Sequence, residues 1–155
     1  MEMPQPTEAH LKLHRLVGTW SGDECIAPSP WTPEGATATG VVENRLAVAG
    51  FAVAQNYEQR QDGAARFHGY GVFRYDAKED RYELYWFDSM GMAPNVFLGT
   101  FEGDVLSLRC DEPDNKFRAS FEIAEGADRY TFKMDVSQDG ETWHSMMEGT
   151  YSKQG

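Results

Sequence analysis

The segment RYELYWFDSMGM, Arg81 to Met92, ends an apolar strand on an aspartate. Strand alternation puts Tyr82, Leu84, Trp86 and Asp88 on one face. If Trp86 points inward, Asp88 does too, and a buried carboxylate without a partner is costly. Arg45 and Arg74 are candidate partners, and His68 shares a strand face with Tyr70 and Arg74. Such a group could orient the polar end of a bound molecule. The plainer reading is a turn, with the Asp88 carboxylate bonding the backbone amide of Met90 or Gly91. The following tip, SMGMAPN over residues 89–95, holds Met90 and Met92. Adaptable thioethers there suit a lid over an apolar pocket. They suit equally a contact between copies in a homo-oligomer.

Other chemistries have thinner support. His10 and His14 stand four apart on an expected helix, a spacing that could supply two metal ligands. They lack the HExxH glutamate and a third ligand, so packing against the rest of the domain is the expected role. Cys25 and Cys110 lie outside any CxxC spacing and read as free thiols. No G-x-S-x-G elbow occurs; Ser89 follows Phe87 and Asp88.

Charge narrows the partners. Lysine and arginine total 14 against 25 acidic residues, a formal charge of −11. Such a chain repels phosphate backbones and anionic membrane surfaces, so neither nucleic acid nor membrane is an expected partner. The N-terminal MEMPQPTEAH has no basic and apolar leader pattern, and two isolated cysteines suit a reducing compartment. The cytoplasm is the expected location.

The elements that must position these residues are mostly strands. The segment PTEAHLKLHRLVG is the one convincing helix, with Thr7 as N-cap and Gly18 as stop. After it, turn signals such as Asp62-Gly63, Gly103-Asp104 and Asp139-Gly140 recur at the spacing of an all-β fold. About ten strands are expected, starting near residues 19, 37, 51, 66, 82, 95, 105, 116, 129 and 142. KFRASFEI and RYTFKMDV alternate cleanly, with one dry and one wet face. A meander this long closes on itself, which removes its exposed edges. The expectation is one domain over residues 1–155: an antiparallel up-and-down barrel from residue 18, plugged by the helix of residues 1–17. The alternative is a two-sheet sandwich.

The stretch LVGTWSGDE, Leu16 to Glu24, resembles the opening of calycin-type barrels, which include lipocalins, fatty-acid-binding proteins and nitrobindins. PTEAHLKLHRLVGTW and YWFDSMG together resemble a bacterial lipocalin-like family of unknown function, number 1579. The resemblance implies that Trp20 packs across the barrel bottom. A barrel of this strand number can leave room for a small ligand in an apolar cavity, here lined by Phe73, Trp86, Leu108, Phe121, Phe132 and Met147, or those side chains can simply fill the core. Nitrobindins hold haem through a proximal histidine, but only His68 and His144 lie on strands here, and His144 faces out if Met147 faces in. No cofactor is therefore expected. The functional expectation is a barrel binding a small hydrophobic molecule with one polar end. The alternatives are an isomerase- or cyclase-type enzyme using Asp88 or His68, and a filled barrel serving as an interaction domain.

Overall fold

The structure is a computed structural model and describes all 155 residues. Helix α1 (Glu8–Leu13) tightens into a 3-10 turn over His14–Leu16. Ten strands follow: β1 (Gly18–Ile26), β2 (Ala36–Ala47), β3 (Ala52–Gln61), β4 (Ala64–Asp76), β5 (Arg81–Asp88), β6 (Asn95–Glu102), β7 (Val105–Asp111), β8 (Lys116–Glu122), β9 (Arg129–Ser137) and β10 (His144–Lys153). Each strand pairs antiparallel with its chain neighbour, and β1 pairs with β10 to close the barrel. The expected up-and-down barrel is therefore the observed fold, and the sandwich is excluded. No helix is long and apolar enough to cross a membrane.

Local chemistry explains the tight corners. Asp62 and Gly63 both have positive φ, 52° and 76°, which makes a two-residue hairpin between β3 and β4. Pro28, Pro30 and Pro33 keep the 27–35 connection out of the sheet. The register shifts between Gln59 and Arg60 in the β3–β4 pair, and a second shift, a bulge, lies between Ser145 and Met147 on β10. The bulge brings Met146 and Met147 together to the inner rim and leaves His144 exposed.

The barrel is packed solid at one end. Leu13 and Leu16 from the helical segment sit in one buried cluster with Trp20, Tyr82, Leu106, Ile123 and Tyr130. Trp20 is fully buried, and its indole N–H donates to the Leu16 carbonyl at 2.8 Å. The Asn44 amide donates to the same carbonyl at 2.9 Å. Tyr82 donates its hydroxyl to the Ala9 carbonyl at 2.8 Å, and Arg15 pairs with Asp104 at 3.0 Å. The two bonds to Leu16 satisfy the last carbonyl of the helical segment, and together these polar ties hold the plug on the barrel. The two helical histidines have structural partners. His10 is wedged between Phe51 and Tyr75 and accepts from the Thr7 amide. The His14 ring bonds the Gly50 carbonyl.

Candidate functional site

The opposite end of the barrel is hollow. A cavity of about 480 Å³ is lined by 21 residues, 17 of them hydrophobic. Its floor rests on Val42, Leu84, Phe97, Ala119 and Phe121, which also belong to the buried interior. Phe67, Trp86, Phe117, Phe132 and Met134 continue the wall upward, and Ile26, Met90 and Met146 sit at the rim.

Trp86 lies flat on the inner face of β4 because two glycines face it. A Cβ on Gly69 would lie 2.2 Å from the Trp86 ring, and one on Gly71 would lie 2.9 Å from Leu84. The G-Y-G of β4 is thus a slot for the indole. Asp88 continues the same inward face. One oxygen of its carboxylate accepts from the Trp86 indole N–H at 3.0 Å, and the other accepts from the Met90 amide at 3.0 Å. Asp88 therefore both lines the cavity mouth and starts the turn.

The arginines and the histidine expected beside Asp88 are elsewhere. Arg45 lies on the outer face of β2, 58% exposed, near Glu43. Arg74 lies on the outer face of β4 and bonds Glu83 at 2.8 Å. Burial alone would raise the Glu83 carboxyl. The hydrogen bonds from Tyr85, Arg81 and Arg74 outweigh it and hold the group below its ordinary value. His68 is exposed, and only its backbone reaches the turn, the amide donating to the Ser89 hydroxyl at 3.0 Å and the carbonyl accepting from the Ser89 amide at 2.8 Å. The reason is the pleat. Phe67, Gly69, Gly71 and Phe73 take the inner positions of β4, so His68, Tyr70 and Arg74 must face out.

Of the other expected residues, Trp86, Asp88, Met90, Phe121, Phe132 and Met147 line the cavity. Phe73 and Leu108 face inward but lie below it, 1% and 2% exposed, as part of the packed interior. Phe73 meets Phe121 edge-to-face at 5.4 Å between centroids.

The most developed polar feature was not expected from the sequence. Glu24 is 2% exposed and points into the barrel from β1. Its carboxylate accepts from the Tyr57 hydroxyl at 2.8 Å, the Tyr151 hydroxyl at 2.5 Å and the Gln59 amide at 3.1 Å. Gln59 also donates to the Tyr57 oxygen at 3.0 Å. Burial first, then the charge and acceptor oxygens of Glu24, push both phenols far above their ordinary range. Tyr57, Gln59 and Tyr151 line the cavity, and Glu24 stands directly behind them. The sequence did carry a signal. Trp20, Gly22, Glu24 and Ile26 share one strand face, so an inward Trp20 makes Glu24 inward too.

Chemically, the hollow end offers an apolar chamber with a few convergent polar groups. Its lining contains no lysine, arginine or histidine. Neither strand histidine reaches the chamber, so the donor set does not fit a haem held by a proximal histidine.

The chain belongs to the family described as protein of unknown function (DUF1579), which matches residues 5–153. Among solved structures, Rv2717c from M. tuberculosis is similar with a TM-score of 0.74 and 17% identity, covering 96% of this chain and 99% of that one. The S-type phycobiliprotein lyase CPES from Guillardia theta is similar with a TM-score of 0.61 and 11% identity, covering 97% of this chain and 99% of that one. At these identities the likeness is one of fold. No curated protein matches the chain.

Proposed function

We propose that this DUF1579 member binds a small, largely apolar molecule with one polar end in the open half of its barrel. The observation that carries the reading is the chamber itself. Its volume of about 480 Å³ falls in the range of roughly 300–1,000 Å³ usual for small-molecule sites. A predominantly apolar wall with a few aimed polar groups is the usual composition of such sites. The exposed methionines at the rim suit entry, because thioether side chains reshape without strain. That a barrel of this kind also serves in a phycobiliprotein lyase agrees with small-molecule handling on the scaffold.

The acid–base enzyme reading has less behind it. His68 lies outside the chamber, and both Asp88 oxygens are engaged by Trp86 and Met90. A filled barrel serving only as an interaction domain sits poorly with a hollow of this size.

The test uses Nile red, an uncharged dye that brightens in apolar surroundings. Saturable binding at one site is expected, together with a co-purifying molecule in native mass spectrometry after mild extraction. Ala119 lies in the chamber floor, 2% exposed. Ala119→Phe should fill the space and abolish dye binding while the protein stays folded. No saturable binding to the wild type, or equal binding to a folded Ala119→Phe variant, would overturn the reading.

A further inference from the structure

We infer that the chamber selects molecules whose polar end is a hydrogen-bond donor, with a protonated amine preferred, and rejects those ending in a carboxylate. The inference rests on the binding role proposed above and names the chemical class that role would serve.

The charge around the chamber has one sign. Asp88 is the only charged residue among the lining residues, and Glu24 stands behind Tyr57, Gln59 and Tyr151. No cation lines the space to offset either carboxylate. Bringing a second anion into so apolar a site leaves it unpaired beside like charges, which is strongly unfavourable. An ammonium group there meets the opposite condition.

Hydrogen-bond polarity points the same way. The Tyr57 and Tyr151 protons are already given to Glu24, so neither hydroxyl is free to donate to a guest. The Tyr57 oxygen and the Gln59 carbonyl oxygen can only accept. Asp88 likewise accepts only. Gln55, 6% exposed, also lines the chamber, and its side-chain carbonyl can accept from such a guest, although its amide N–H groups can donate as well.

Aromatic faces complete the arrangement. Tyr57 lies 6.1 Å from Phe67 and 6.3 Å from Trp86 between ring centroids. A cation seated over the face of any one of these rings is attracted by its negative quadrupole. Anionic partners such as fatty acids are therefore disfavoured, although the hydrophobic wall would accept their chains.

The experiment displaces Nile red from the native protein at neutral pH with decylamine, decanol and decanoate, which differ only in the polar end. Decylamine is expected to compete best and decanol next. Decanoate should trail decylamine by about ten-fold or more, the scale of one close charge contact. Because the whole chain carries a net charge of −11, the series is repeated at high salt, which screens surface attraction but not the chamber. Glu24→Gln should shrink the amine's advantage, and Asp88→Asn serves the same purpose if the first variant does not fold. Equal or stronger competition by decanoate, an amine preference that salt abolishes, or one unaltered in both variants would overturn the inference. Any of these outcomes would leave the chamber's binding role intact, whereas failure of Nile red to bind at all would remove both.

Discussion

The Tyr151 hydroxyl donates a 2.5 Å hydrogen bond to Glu24, joining residues 127 positions apart across the β1–β10 seam that closes the barrel. The same carboxylate takes the Tyr57 hydroxyl from β3. One buried acid therefore ties the first strand both to the last and to the third. Hydrogen bonds to a charged group contribute about 1.5–3 kcal/mol each, more than neutral ones. Tyr151→Phe should accordingly lower unfolding free energy by about 1.5–3 kcal/mol in urea titrations. A loss below the error of the titration would show that the seam does not depend on this bond.

The buried phenols set an alkaline limit on stability. Tyr57, Tyr130 and Tyr151 all have raised pKa values, with burial the leading cause. In the unfolded chain these groups lose their protons near pH 10, while the folded protein keeps them. The folded state then binds more protons, so stability is intact below pH 10 and falls as pH rises beyond it. Each such group steepens the fall by up to about 1.4 kcal/mol per pH unit. Urea midpoints measured from pH 8 to 11 should decline more steeply in the wild type than in Tyr57→Phe. Identical slopes would remove Tyr57 from this account.

Most of the architecture was legible because it follows from alternation and turn chemistry. Strands expected near residues 95, 105, 116 and 129 begin there, at Asn95, Val105, Lys116 and Arg129. The face of Asp88 was readable from Trp86, two residues before it. Its partners were not, because charge alone points to the arginines and His68, whereas the pleat decides which side they face. Phe67 and Phe73 on β4 carry the parity that puts His68 and Arg74 outside. Glu24 is inconspicuous in the sequence for a related reason. An acidic side chain in so acidic a chain reads as surface unless a neighbour such as Trp20 fixes its face. The Tyr57, Gln59 and Tyr151 donors that make its burial tolerable come from strands distant in sequence. The bulge beside Met147 lies in the β9–β10 pair, where it interrupts the alternation that the sequence pattern assumes.

Phe73 and Trp86 separate packing from binding. Phe73 is 1% exposed in the solid half, so Phe73→Ala leaves a void and should cost about 3–5 kcal/mol. Trp86 is half-buried with one face on the chamber. Trp86→Ala should cost less stability but markedly weaken Nile red binding. A reversed pattern, with binding lost only in the Phe73 variant, would put the binding space deeper than the chamber described.

The outer positions of the originally expected clamp should be inert. His68→Ala and Arg45→Ala remove exposed side chains, and each should change stability by no more than about 0.5 kcal/mol with unaltered dye affinity. Asp88→Ala differs, because it frees the Trp86 indole N–H and the Met90 amide together. It should loosen the 89–95 tip, which hydrogen exchange at Met90 would report. If His68→Ala impaired binding as much as Asp88→Ala, the outward placement of His68 would be wrong.

Gly40 tests whether the polar network is built to tight tolerance. It sits on β2 facing Glu24, and a Cβ there would lie 2.4 Å from a Glu24 carboxylate oxygen and 2.8 Å from the Tyr151 ring. Neither side chain can retreat without giving up a hydrogen bond, since each holds the other. Gly40→Ala should therefore destabilise the barrel by about 1–3 kcal/mol, the usual cost of overpacking. The neighbouring Thr39 is exposed, and Thr39→Ala is the matched control on the same strand. Alanine on β2 is not harmful in itself, so the difference between the two variants isolates the collision with Glu24. It should shrink when Gly40→Ala is combined with Glu24→Ala, because the double variant removes the group being struck. Fully additive losses would mean that Gly40 is needed for backbone reasons unrelated to the carboxylate.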